Sequence, residues 1–317
     1  MTGSHRDVFA NTGHARRSLK DIANAMIFRI IAPLPDAAFC ALKYFVLRGR
    51  FPALRHPRTF TDKVQARKLH DRNPLFPTMV DKADAKAMVS ARVGPRYTIP
   101  TQWVGKALGD VDWSTISLPA VVKPTHASGV GRLLQTQADV DRLLADDPSA
   151  QWLAIDHAAY NREWVYRALE PRIIIETMLQ VDGQVPPDYR FYTFDGEVSH
   201  IEVDFEIDGR SAYCNYSTDW KRLPFHDPDH EGYYPAGTDR PERLDEMIRV
   251  AQTLGAGTDF VRVDMYACAQ WVRVGELTLY PGGGFDAFDP PEYDLILGEK
   301  WRLGFDMSDR QTPQTIR

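Results

Sequence analysis

Cysteine is scarce: Cys40, Cys214 and Cys268 are the three in 317 residues, far apart, odd in number and without a C-x-x-C pair. That excludes a Cys-rich zinc site and fits a reducing compartment. Lys/Arg-rich runs are missing as well, and the formal net charge is −5, which argues against a general nucleic-acid binder. No uncharged apolar run is long enough to span a bilayer. The most apolar stretch, "IANAMIFRIIAPLPDAAFCALKYFVLRGRF" (22–51), is interrupted by Arg29, Pro33, Pro35 and Asp36. The polar, His- and Arg-bearing start lacks the form of a signal peptide. Repeats, low-complexity linkers and the G-K-[ST] of a Walker loop are all absent. A cytoplasmic protein is expected.

What is present is an ordinary globular composition, 44% hydrophobic and 26% charged, on a chain long enough for two or three packed subdomains. Residues 22–51 read as two short helices either side of a Pro bend, packed in a core or, alternatively, lying on a membrane surface. Two helices are expected over 59–93, the second running through "PLFPTMVDKADAKAMVSARV" to a C-cap at Gly94. "LPAVVKP" and "GRLLQ" read as short strands, and "TQADVDRLLADD" as a helix that Thr136 caps. A buried strand "PRIIIETML" follows, then a meander with Asp195-Gly196 and Asp208-Gly209 at its hairpin turns. An amphipathic helix over 241–255, two last strands and the run "PGGG" complete an α+β order.

The last two strands carry the sharpest chemistry. On "FVRVDMY", Arg262 and Asp264 share a face; on "GELTLY", Glu276 and Thr278 do. A hairpin centred on Gln270 sets Asp264 opposite Glu276 and Arg262 opposite Thr278. Opposed carboxylates repel but suit a bridging hard cation such as Mg²⁺; a different register would leave both on a solvated face. Lys123 ends the apolar run "VVK", where an ammonium is costly unless an anion meets it. The loop behind it, His126 to Gly131, offers backbone N–H groups for phosphate. Lys82, read on a helix, is a second cation, and Glu176 is either a polar strand terminus or a nucleotide contact. Three D-x-D pairs, Asp110/Asp112, Asp139/Asp141 and Asp227/Asp229, leave a glycosyltransferase as a rival reading, with His226 and His230 flanking the last.

Taken together, D-K-x-x-x-K, "VVKP" with its loop, "IIIETML", "RVDMY" and "GELTLYPGGG" resemble the signature of the ATP-grasp superfamily. Within it, "HPRTFTDKVQARKLHDRNPLFPTMVDK", "REWVYRALEPRIIIETML", "DYRFYTFDGEVSHIEVD" and "EYDLILGEKWRL" resemble the TupA-like family, named for teichuronopeptide synthesis. The resemblance covers roughly residues 50–305. It implies an ATP-grasp fold: an N-terminal helical region (1–75), a lid subdomain (76–175) and a catalytic subdomain (176–317) with the metal hairpin. It implies that Lys82 and Lys123 contact ATP phosphates and that the loop with His126, Ser128 and Gly129 closes over them. Glu176 and the backbone of Met178 and Leu179 would hold the adenine, and Asp188 the ribose. Asp264 and Glu276 would bind Mg²⁺, with Thr278 at the position where many ATP-grasp enzymes carry Asn, and Arg262 would lie near the reacting acyl phosphate. The loop "THASGVGR" is poorer in Gly and Asn than is usual. The activity implied is carboxylate–amine ligation, with a uronic acid or polysaccharide carboxylate and a small amine as substrates. A non-catalytic ATP-binding partner is the remaining alternative.

Overall fold

The computed structural model describes residues 19–305; the polar start of the chain lies outside the described residues. The helices α1 (Leu19–Ile31) and α2 (Asp36–Arg48) flank the expected Pro bend. Gly49, at φ 70°, ends α2 with its N–H donated to the Phe45 carbonyl. Ile31, Phe39 and Cys40 form a small core of their own. Among the described residues no helix is long and apolar enough to cross a membrane.

Next comes α3 (Phe60–His70), capped by the Thr59 hydroxyl. It is polar by sequence, yet Gln65, Arg67 and Lys68 are all buried. Backbone carbonyls take much of their donor capacity, and the Asp259 carboxylate takes Arg67 Nη2. Gln65 reaches Gly283 and Gly284, Arg67 reaches Phe260 and Leu279, and Lys68 reaches Asn161 and Gly283. The single helix expected over 74–93 is two, α4 (Phe76–Val80) and α5 (Asp84–Val93). Asp81 breaks it, because its Oδ1 accepts the N–H groups of Ala83 and Asp84 at 2.9 and 3.0 Å and so replaces helical acceptors. Lys82 therefore sits in a turn rather than on a helix.

The strands form two antiparallel sheets. In the smaller one, β1 (Thr101–Gly105), β2 (Ala120–Pro124), β3 (Arg132–Leu134) and β4 (Ile173–Thr177) run in the order β1-β4-β2-β3. Between β3 and β4 lie α6 (Gln137–Asp146), with a Thr136–Asp139 capping box, α7 (Ser149–Leu153) and α8 (His157–Asn161). Val122, Leu134, Leu143, Trp152 and Ile175 belong to the core here. In the larger sheet, β5 (Asp188–Phe194), β6 (Glu197–Ile207), β7 (Arg210–Tyr216), β8 (Val261–Ala267) and β9 (Val272–Thr278) run β7-β6-β5-β8-β9. Both Asp-Gly turns have positive φ at each position, 50° and 79° at Asp195-Gly196 and 50° and 71° at Asp208-Gly209, as type I′ hairpins require.

One face of the larger sheet is apolar. Tyr216, Ile201, Phe191, Val263 and Leu277 lie side by side across its five strands and are buried in the main core. The helix α9 (Leu244–Gly255) packs there with Leu244, Met247, Val250 and Leu254; it begins three residues after the expected Pro241. Phe60 of α3 and Phe76, Met79, Val80 and Val89 of α4 and α5 join the same core. A last helix, α10 (Glu292–Lys300), lies against α3.

Candidate active site

Alternation along the strands gives the opposite face of the larger sheet a polar row. Asn215, Glu202, Arg190, Asp264 and Glu276, one from each strand, are direct cross-strand neighbours in that order. Beside them lie His200, Tyr192, Arg262 and Thr278. The expected pairs Asp264–Glu276 and Arg262–Thr278 are both present. The hairpin is not symmetric about Gln270, however: past Asp264 the ladder runs Met265–Val274, Tyr266–Arg273 and Ala267–Val272. Gly275 is the extra residue of a β-bulge. Val272 and Val274 are buried, and so is Leu277; the bulge is what places Glu276 on the polar face instead of beside the two valines.

Charge on this face is tightly partnered. Arg262 grips Asp264 with two bonds, Nε to Oδ1 at 2.7 Å and Nη2 to Oδ2 at 2.6 Å, and donates to the Thr278 hydroxyl at 3.2 Å. Thr278 in turn donates to Glu276 Oε1 at 3.1 Å. Arg190 is held by Glu202 at 2.7 Å, by Asp188 at 3.1 Å and by Asp204. Burial pushes the Asp264 carboxyl up against the pull of Arg262. Burial acts the same way on Glu276, but Lys82, Arg262 and Lys123 outweigh it and hold that carboxyl below its usual range. Asp188 is pushed up to about 7, chiefly by burial, with Arg190 opposing and Asp264 and Asp204 adding. Among the described residues no group of three or more His, Cys, Asp or Glu is arranged to hold a metal. Two carboxylates and a hydroxyl are oxygen donors suited to Mg²⁺, which leaves most of its coordination to phosphate and water. The residues fit that ion.

The smaller sheet supplies the cations. Lys123 meets a protein anion: its Nζ lies 2.6 Å from Glu176 Oε2, across the β2–β4 ladder. Lys86, the second lysine of D-K-x-x-x-K, to which the sequence alone assigns no role, takes the other oxygen of Glu176 and also donates to the Ile99 carbonyl. Glu176 is 3% exposed; burial would raise its carboxyl, yet Lys123 and Lys86 keep it below the ordinary range. It stands as the counter-ion of two lysines. Lys82 donates to the Ala127 carbonyl at 2.7 Å, tying the α4–α5 turn to the loop after β2. Lys82, Lys86 and Glu276 line one pocket between these parts of the chain. In the loop, His126 is buried, and burial together with Lys82 pushes its imidazole down. Ser128 and Gly129 are exposed, Gly129 at φ 72°, and the Ser128 hydroxyl meets Tyr166. Met178 is buried with its N–H donated to the Pro119 carbonyl at 3.1 Å, and Leu179 is half-buried beside it.

The D-x-D pairs scatter. Asp139 completes the α6 capping box, Asp112 accepts the Ser114 N–H, and Asp229 pairs with Arg48 at 2.5 Å. Asp227, His226 and His230 instead border a cleft over the Arg190 half of the polar row. The sequence leaves that cleft unassigned, because its walls come from strands and loops far apart in the chain.

A family model described as TupA-like ATP-grasp matches residues 62–302. No curated protein gives a significant match. Solved structures similar to the chain include a D-alanine–D-alanine ligase from Bacillus anthracis complexed with ATP, 15% identical with a TM-score of 0.39, covering 64% of this chain and 55% of that one. Another is the ATP-grasp ligase PsnB with minimal precursor, Mg and ADP, 17% identical, TM-score 0.36, covering 65% and 52%. A third is an N5-carboxyaminoimidazole ribonucleotide synthetase from Thermus thermophilus, 11% identical, TM-score 0.39, covering 69% and 52%. The chain thus spans about half the length of these structures.

Proposed function

The chain belongs to the TupA-like ATP-grasp family, and on that premise we propose that it is an ATP-dependent carboxylate–amine ligase. The observation that carries the reading is the hairpin pair Asp264 and Glu276, bridged through Arg262 and Thr278 and set within the field of Lys82 and Lys123. Glu276 is kept ionised without a direct ion pair among the described residues, so it is available to a cation. Mg²⁺ held by Asp264, Glu276 and the Thr278 hydroxyl would neutralise phosphate oxygens. Lys82 and Lys123 would contact the phosphates, and the His126, Ser128 and Gly129 loop would cover them. The backbone at Met178 and Leu179 would hold the adenine.

In this reading the substrate carboxylate attacks the γ-phosphate of ATP, giving an acyl phosphate and ADP; an amine then attacks the acyl carbon and phosphate leaves. Positioning and charge neutralisation by Arg262 and the lysines supply most of the rate. The carboxylate is that of a uronic acid in a cell-surface polysaccharide, or of an acidic amino acid joined to one. ADP release measured across amino acids and uronate-containing glycans tests the proposal, with UDP-sugars run in parallel. Carboxylate- and amine-dependent ADP release is expected; sugar transfer from a UDP-sugar without ATP would overturn it.

A further inference from the structure

The polar row has a second end. Over its Asn215–Glu202–Arg190 half lies a cleft of about 220 Å³. Arg262 lines it too, and so joins it to the carboxylate pair. The guanidinium groups here are already claimed, Arg190 by Asp188, Glu202 and Asp204, Arg262 by Asp264 and Thr278. What remains open is acceptor capacity. Asn215 is 2% exposed; its amide N–H₂ donates to the Phe225 carbonyl at 3.1 Å, while its Oδ1 is buried with no partner. Asp286 lines the same cleft and makes no hydrogen bond or ion pair among the described residues. It occupies room that Gly282 leaves: a Cβ on Gly282 would collide with the Asp286 carboxylate. A free carboxylate and a buried, unsatisfied amide oxygen facing one cavity suit a ligand that is a hydrogen-bond donor and positively charged.

We propose that this cleft holds the amine substrate in its ammonium form, with Asp286 as counter-ion and then as acceptor of its proton. The inference rests on the ligase reading above. The ammonium gives one proton to the Asp286 carboxylate, and the freed nitrogen lone pair attacks the acyl carbon. The acyl C–O bond to phosphate then breaks with its electron pair on oxygen, and the second nitrogen proton leaves with the phosphate. Burial pushes the Asp286 carboxyl up to about 7, with Asp227 and Glu202 adding and Arg262 and Arg48 opposing. A base poised near the working pH is suited to that transfer. Of the other groups facing it, His200 is pushed down to about 3 by burial and stays neutral. His226 and His230 lie stacked on Tyr233 and Tyr213.

Both of those imidazoles line the cleft and report on it. In the full chain labelled with ¹⁵N-histidine, glucosamine and ethanolamine should give saturable shifts of His226 and His230, whereas N-acetylglucosamine should not. The affinity for ethanolamine, which stays an ammonium throughout this range, should fall several-fold from pH 8 to pH 6 as Asp286 protonates. Asp286→Asn should weaken it at least about tenfold and remove that pH dependence, and Asn215→Leu should weaken it with the pH dependence kept. The thermal shift given by ATP with Mg²⁺ should persist in both variants. Absence of saturable shifts with either amine, tighter binding of N-acetylglucosamine, or unchanged amine binding in Asp286→Asn would overturn the assignment while that thermal shift leaves the ligase reading standing. No ATP shift in the wild type would instead overturn the ligase reading itself.

Discussion

Replacing Lys123 by methionine keeps the aliphatic stem and removes the charge. Had the ammonium lacked a protein anion, the free protein would gain stability. The ion pair with Glu176 reverses that sign. Lys86 still holds one oxygen, so we expect a loss of about 1–3 kcal/mol rather than that of a fully stranded charge, read from urea unfolding at pH 7. Glu176 is depressed in the fold, so its contribution is present above the unfolded value of roughly 4.3 and is lost as pH falls through the lower folded value. In Lys123→Met that loss should begin at higher pH. The hairpin acids should also separate. Glu276→Gln should abolish ADP release at little cost in stability, whereas Asp264→Asn should also destabilise by about 3 kcal/mol by stranding Arg262. Equal stability losses in the two variants would count against the grip of Arg262 on Asp264.

Among the elements, α3 is the one whose surroundings its sequence conceals. Its Arg, Lys and Gln suggest a solvated helix, yet it is threaded through the molecule and hydrogen-bonds the glycine run. Phe60 at its start meets Phe260 at 5.1 Å, Trp301 at 5.6 Å and Phe194 at 6.3 Å. Phe60→Ala should cost about 3–5 kcal/mol in denaturant unfolding; a loss under about 1 kcal/mol would mean the helix is less embedded than these contacts imply. The meander, by contrast, is legible: the Asp-Gly turns fix its hairpins and the alternation from Ile201 to Ile207 fixes the faces of β6, although the ladder skips Ser199 between Val198 and His200. The pairing of Asp264 with Glu276 is legible for the same reason. Nothing local announces that Asp81 breaks the helix at Lys82, because an Asx turn competes with a helix by only small margins.

At the scale of the molecule, the candidate site draws on both sheets. The pairing of Glu176 with Lys123 and Lys86, and the cleft, escape the sequence because each depends on contacts between segments that only tertiary packing brings together. If nucleotide binds as proposed, ATP with Mg²⁺ at about 100 times Kd should stabilise by about 2.7 kcal/mol. Hydrogen exchange should slow together in the 126–131 loop and at the Asp264 and Glu276 end of β8 and β9. Protection confined to one of the two regions would show that the nucleotide does not bridge them.

The bulge at Gly275 makes the hairpin sensitive to length in a way that substitutions do not probe. Were Gly275 paired as a regular residue, the two-residue rhythm would put Glu276 in phase with Val272 and Val274, a carboxylate aimed into the main core. Deleting Gly275 would instead leave Glu276 next after Val274, on the polar face and still opposite Asp264. An extra residue beside it, in a straightened ladder, would keep the faces but slide Glu276 along β8 from Asp264 to Arg262 and so part the two carboxylates. A slip of this kind is invisible to composition and to hydropathy, and Gly is favoured at the bulge because a Cβ there would come within 2.9 Å of the Tyr266 ring. The last strand can therefore lose its bulge residue and keep the carboxylate pair, whereas a residue gained there would part it.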